Sequence, residues 1–131
     1  MNTFKKEERL CSKKSLDLLF KNGSSFLVYP YRITFAFDAQ TSEFPAQIVI
    51  NVAKKRYKRA VDRNLIKRRT REVYRTHKQE LLYTSLIDKN QLLLLGLQYI
   101  GKQIYPSSFL EKRLTQLLVK LTTQLSSDEA N

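Results

Sequence analysis

Residues 91–100, QLLLLGLQYI, are apolar at odd and even positions alike, with polar residues only near the ends. A stretch that short with two apolar faces reads as a buried central strand, and a central strand requires a sheet around it. Gly96 in its middle marks a close approach or a bulge. Two further stretches supply partners. Residues 26–38, FLVYPYRITFAFD, alternate: Tyr31, Ile33, Phe35 and Phe37 point one way, and Arg32, Thr34, Ala36 and Asp38 the other. Pro30 cannot donate to a ladder, so a short strand precedes it and a longer one follows. After a polar turn at 40–45, residues 46–53, AQIVINVA, set Ile48, Ile50 and Val52 on one side and Gln47, Val49 and Asn51 on the other.

Helical signals flank these strands. Ser12 is a candidate N-cap for a helix over 12–22, with Leu16, Leu19 and Phe20 on one face. Gly23 then stands where a left-handed residue would close the helix. Phe20 fits either a core position or an exposed aromatic platform. Near the end of the chain, Ser108 followed by Glu111 reads as a capping box. Beyond it Leu110, Leu114, Leu117, Leu121 and Leu125 form a core-facing stripe. The order is α-β-β-β-α-β-α. At 131 residues the chain is expected to be a single domain spanning 1–131, with mobile tails at about 1–9 and 126–131. The last two strands are joined by a helix and are expected to be parallel.

That joining helix carries the chain's charge. Residues 54–75, KKRYKRAVDRNLIKRRTREVYR, hold eleven Lys and Arg against Asp62 and Glu72, a net +9 of the chain's +12. At roughly 100° per residue a helix over 59–81 puts Ile66, Thr70, Val73 and His77 on one face. Asn64, Lys67, Arg68, Arg71 and Arg75 then fall on the opposite face. An ordinary solvated face mixes signs at helical spacing; this one repels itself unless a polyanion lies across it. Cations fixed on a helix lose less freedom on meeting phosphates than cations on a loose tail, and arginine adds a planar fork for two phosphate oxygens. A phosphate backbone is the expected partner. About five phosphate contacts would give a log–log salt slope near −3.5 to −4.5.

Catalytic constellations are missing. His77 is the single histidine and sits on the apolar face, as a packed residue rather than a general base. The chain has three glycines and no Gly-rich phosphate loop. Asp62 and Glu72 would lie about 15 Å apart on a helix, too far for an acid/base pair. No His, Asp, Glu and Cys cluster reads as a metal cage. Cys11 is alone, which points to a reducing, cytoplasmic setting. No apolar run reaches the length of a membrane span, and the first residues lack the apolar core of a secretory signal.

The residues that carry the charge also carry a resemblance. A strand leading into Lys54-Lys55, a short loop, then Ala60-Val61, Arg63-Asn64, Lys67-Arg68 and Arg71-Glu72 resembles the signature of the bacterial ribonuclease P protein subunit. Arg9-Leu10 and the run from Phe20 to Gly23 resemble the family's first helix and its closing glycine. The resemblance covers nearly the whole chain. It implies an α+β sandwich around a central sheet, similar to the ribosomal protein S5 domain 2-like fold, with a left-handed βαβ crossover where general rules favour a right-handed one. It implies an accessory subunit of an endoribonuclease that removes the 5′ leader from precursor tRNA. In such a complex the catalytic RNA does the hydrolysis with Mg²⁺, which the RNA and substrate are expected to hold.

The implied RNA-binding residues are Lys54, Lys55, Arg56, Lys58, Arg59, Arg63, Asn64, Lys67, Arg68, Arg71 and Arg75. The implied leader cleft lies between the first helix and the sheet, with Phe20, Tyr31 and Arg32 as contacts; an aromatic ring stacks on any base. The implied partners are the catalytic RNA and precursor tRNA, with no membrane and no obligate protein partner. Three positions depart from the family pattern. Leu65 stands where a third basic residue is usual, Leu16 where an aromatic is common, and the loop at 56–59 is Arg-Tyr-Lys-Arg where a glycine is common. The cations of that loop offset the loss at Leu65. A non-catalytic RNA-binding module such as a ribosomal protein shares these electrostatics and is the alternative. A membrane-surface helix would need an exposed apolar face, which here the sheet requires.

Overall fold

The computed structural model describes residues 5–39, 44–86 and 91–130, with side chains through 126. A 3-10 turn at Lys6–Glu8 leads into α1 (Lys13–Asn22), β1 (Ser24–Val28), β2 (Tyr31–Asp38) and β3 (Ala46–Val52). Then come α2 (Ala60–Lys78), β4 (Leu92–Tyr99) and a C-terminal helix, α3 (Ser107–Ala130). The polar turn expected at 40–45 falls largely outside the described residues.

The sheet runs β1-β2-β4-β3. β1 and β2 form an antiparallel hairpin through a cis Tyr29–Pro30 bond. β2 pairs antiparallel with β4, and β3 pairs with β4 in parallel. β4 is therefore central, as its two apolar faces demand, and Leu92 through Leu97 are all buried. The period-2 pattern sorts its leucines. Leu93, Leu95, Leu97 and Tyr99 join Tyr31, Ile33, Ile48 and Val52 in a core beneath α2 and α3. The whole leucine stripe of α3 is buried there. On the other face Leu92 and Leu94 meet Leu10 and Leu19 under α1. Each such side chain contributes about 1.5–3 kcal/mol by leaving water.

α1 covers only part of its face, and two glycines set how closely it lies. A Cβ at Gly96 would stand 3.1 Å from Leu19 Cδ2 and 3.4 Å from the Phe20 ring. Gly96 pairs in register with Thr34 and Val49, so it marks close approach and not a bulge. Gly23 does not take the expected left-handed conformation; its φ is −76° and its ψ 150°. Its reason is space: an added Cβ would lie 2.3 Å from the Leu19 carbonyl oxygen and 2.7 Å from Thr34 Cγ2. Ser12 caps α1 as expected, accepting from the Ser15 amide at 3.4 Å.

Two other expectations change. α3 starts at Ser107, which puts Ser108 inside the first turn, and Glu111 faces His77 at 3.6 Å. Residues 5–9, read from sequence as part of a mobile tail, lie against the fold. Glu8 is buried, Arg9 bridges to Ile48, and the Leu10 amide donates to the Ile48 carbonyl at 2.9 Å. At the far end of α2 the helix passes into a π turn, Gln79–Tyr83, which helps turn Leu82, Tyr83 and Leu86 into the core.

Candidate nucleic-acid interface

α2 presents its cations as its periodicity requires. Ile66, Thr70, Val73, Tyr74 and Lys78 are buried against the sheet and α3. Asn64, Arg68 and Arg71 are exposed on the opposite face, with Lys67 and Arg75 half-buried beside them. Asp62 lies in the first turn and Arg75, His77 and Lys78 in the last, both favourable to the helix dipole.

The eleven cations fall into two groups. Arg63 donates through Nη1 to the Tyr57 and Lys58 carbonyls at 2.7 and 2.8 Å. It thereby fastens the loop after β3 to a helix whose N-cap, Arg59, makes no side-chain bond. Arg69 donates to the Tyr105 carbonyl at 2.8 Å, and Arg56 reaches the Ile100 carbonyl at 3.4 Å. Arg75 donates from Nε to Glu72 at 3.1 Å, and that bond holds the Glu72 carboxyl below its ordinary pKa. Lys54, Lys55, Lys58, Arg59, Lys67, Arg68 and Arg71 make no hydrogen bond or ion pair from their side chains among the described residues. Those seven keep their full charge available to an external anion.

The second candidate surface is the part of the sheet that α1 leaves open. Phe20 is 64% exposed, and its ring lies over Gly96. One row further along the sheet, Leu27, Arg32, Gln98 and Asn51 stand opposite one another across all four strands. Leu27, Arg32 and Asn51 are exposed and Gln98 half-buried. An aromatic ring beside a row that offers a guanidinium and two amides suits an unpaired nucleotide strand.

Tyr31 does not belong to this surface. Its ring is fully buried on the opposite face, its hydroxyl lies 2.7 Å from Thr70 Oγ1 of α2, and burial pushes its pKa up to about 12. The strand alternation already set Tyr31 with Ile33 and Phe35 and against Arg32, so the two could not line one cleft. Gln98 and Asn51 were not singled out from sequence. The signal was present, since both are polar residues at the non-core positions of strands that pair in register.

A third feature joins the two surfaces. Residues 7–10 run along the outer edge of β3, where Gln47 Nε2 also donates to the Glu7 carbonyl at 3.1 Å. Between this segment and α2 lies a cavity of about 300 Å³ lined by Arg9, Arg68, Arg71, Glu72 and Arg75. A second, of about 150 Å³, shares Arg9 and Arg71 and reaches Val49 and Ile50 of β3. Among the described residues there is no group of three or more His, Cys, Asp and Glu side chains that could hold a metal ion. No helix among them is long and apolar enough to cross a membrane.

Comparison with known proteins finds similar sequences and similar folds. The family model Ribonuclease P matches residues 4–121. A ribonuclease P protein component of Porphyromonas gingivalis is 28% identical over 122 residues, covering 93% of this chain and 88% of the relative. One from Pseudoalteromonas atlantica is 37% identical over 112 residues, covering 79% and 91%. Among solved structures, the RNase P protein from Thermotoga maritima superposes with a TM-score of 0.67 at 21% identity, covering 86% of this chain and 96% of that one. The Staphylococcus aureus protein gives 0.66 at 20%, covering 88% and 95%.

Proposed function

The chain belongs to the ribonuclease P protein family, and from that premise we propose how its two surfaces divide the work. As a member it is the accessory protein subunit of a ribonucleoprotein endonuclease that matures the 5′ end of tRNA. It partners with the RNase P RNA and binds precursor tRNA. In our reading α2 and the loop before it hold the catalytic RNA through Lys54, Lys55, Lys58, Arg59, Lys67, Arg68 and Arg71, with Asn64 among them. Arg56, Arg63 and Arg75 share in this while also bonding within the chain. The 5′ leader lies on the open sheet face, stacked on Phe20 and steered by Arg32, Gln98 and Asn51.

The observation that carries this reading is the sorting of charge. Seven cations without internal partners among the described residues stand on one helix face and its approach, while the leader face is a mixed aromatic and amide surface carrying the exposed Arg32. Affinity for the RNA is thus electrostatic, and tolerance of leader sequence comes from stacking. Mg²⁺ supplies the hydrolytic chemistry when bound, on our reading by the RNA and substrate. This chain's residues bind and orient the two RNAs. We place this work in the cytoplasm as one domain.

The test is cleavage of end-labelled precursor tRNA by the catalytic RNA at low Mg²⁺, with and without this chain. Restored cleavage at the leader junction is expected. Tight RNA binding without restored cleavage would favour a non-catalytic RNA-binding module instead.

A further inference from the structure

Glu8 and Lys78 form an ion pair in which the two residues are 1% and 2% exposed. Around it the Tyr83 hydroxyl donates to Glu8 Oε1 at 2.9 Å, and the Lys5 amide donates to Oε2 at 2.8 Å. The Lys78 ammonium lies 5.5 Å from the centre of the Tyr83 ring. Burying two charges is costly, and an apolar pair would hold this segment about as well. What the ion pair adds is a fixed place for the chain at Glu8. The next residue, Arg9, is exposed and lines the same groove as Arg68 and Arg71. Arg9 and Arg71 line both parts of that groove, the one on the basic helix and the one at the β3 edge. The groove's carboxylate, Glu72, is occupied by Arg75.

We propose that Arg9 and Arg71 form a clamp for one phosphodiester of an RNA strand at the junction of the basic helix and the open sheet face, and that the buried Glu8–Lys78 pair positions Arg9 in it. The proposal rests on the RNA-binding reading of α2. Its ligand chemistry is a phosphate with two oxygens between arginine forks. The phosphate belongs either to the partner RNA or to the leader.

The experiment uses the full chain with Arg9→Ala, Glu8→Gln, their double variant, and Arg68→Ala as control. Arg9→Ala is expected to make the log–log salt slope shallower by up to about 0.7–0.9 and to weaken binding by up to roughly sixfold at 0.1 M salt. Glu8→Gln moves the slope the same way, and the double variant falls no lower than Arg9→Ala alone. A merely structural Glu8 would lower the melting temperature, leave the slope, and add to Arg9→Ala. If Glu8→Gln does not fold, Glu8→Asp keeps the charge and withdraws it by one methylene; non-additivity with Arg9→Ala is again expected. Two arms separate the phosphates: catalytic RNA alone, and holoenzyme with precursor tRNA carrying a one-nucleotide or a longer leader. A loss confined to longer leaders assigns the leader phosphate, and a loss with RNA alone assigns the partner RNA. If Arg68→Ala moves the slope and Arg9→Ala does not, the clamp is wrong and the α2 reading stands. If neither moves it, the α2 reading fails as well.

Discussion

Arg63 and Arg68 have the same side chain five residues apart on α2, and the structure assigns them opposite consequences. Arg68 is exposed and makes no bond within the described chain, so Arg68→Ala should change stability by no more than about 0.5 kcal/mol. It removes one phosphate contact. Each contact contributes about 0.7–0.9 to the log–log salt slope, which at 0.1 M salt is roughly a sixfold loss of affinity for the catalytic RNA. Arg63 spends its Nη1 on two backbone carbonyls that hold the loop at 57–58 to the uncapped start of α2. Arg63→Ala should therefore cost about 1–2 kcal/mol, the lower part of the range for charged donors because the group is half-exposed. Urea melts of both variants and RNA binding titrated from 0.1 to 0.4 M salt separate the two effects. An unchanged slope for Arg68→Ala, or a normal melt for Arg63→Ala, would refute the division of cations into internal and external groups.

Gly23→Ala should destabilise by about 1–3 kcal/mol, because the new methyl meets the Leu19 carbonyl oxygen at 2.3 Å. It should also lift α1 and Phe20, so affinity for longer leaders falls while binding of catalytic RNA alone is kept; equal loss of both would be the contrary result. Tyr31→Phe leaves buried Thr70 without its 2.7 Å partner and should cost about 1–2 kcal/mol in a urea melt, with leader affinity unchanged. Alkaline stability should fall between pH 10 and about 12. Tyr31 ionises at about 12 when folded and at 10.0 when unfolded, so the unfolded chain loses its proton first. Tyr31 alone then takes away roughly 2–3 kcal/mol across that window, and burial shifts Tyr74, Tyr83 and Tyr99 the same way; a flat urea midpoint there would contradict it. Glu72→Gln releases Arg75 from its ion pair, and a salt slope steeper by up to about 0.9 is expected in the same titration.

Elements set by local periodicity were legible in the sequence. The two-faced run at 91–100, the alternation of β2 and the polar face of α2 each depend on spacing alone, and each reappears in the fold. Features set by contacts between distant residues were not. Glu8 looked like one acid in a charged tail, because its partners Lys78 and Tyr83 lie 70 and 75 residues away. Gly23, in sequence, fits the usual chemistry of a helix end. Its actual constraint, the Thr34 methyl on the next strand but one, exists only once α1 has docked. Tyr31 differs for another reason: the resemblance implies a cleft position, while the strand alternation groups it with buried Ile33 and Phe35.

The depth of β4 explains why one small domain can serve two RNAs. A strand buried on both faces needs cover on both, and here the cover is unequal. α2 and α3 cover the central part of one face, which turns the outer side of α2 to solvent as a rigid cationic surface. α1, only ten residues long, closes part of the other and leaves a row of polar side chains open beside Phe20. Both surfaces are therefore referenced to the same strand. A change that shifts α1 alters the leader face without moving α2, because the sheet stands between them. The edge of β3 is the exception, since Arg9 of the edge segment and Arg71 of α2 there line a cavity that also reaches Val49 on the α1 face. Communication between the RNA and leader surfaces should be concentrated at that edge, and double variants pairing Arg71→Ala with Phe20→Ala or with Arg9→Ala measure it. Near-additivity is expected for the first pair and strong coupling for the second. The reverse pattern would mean that the sheet does not insulate its two faces.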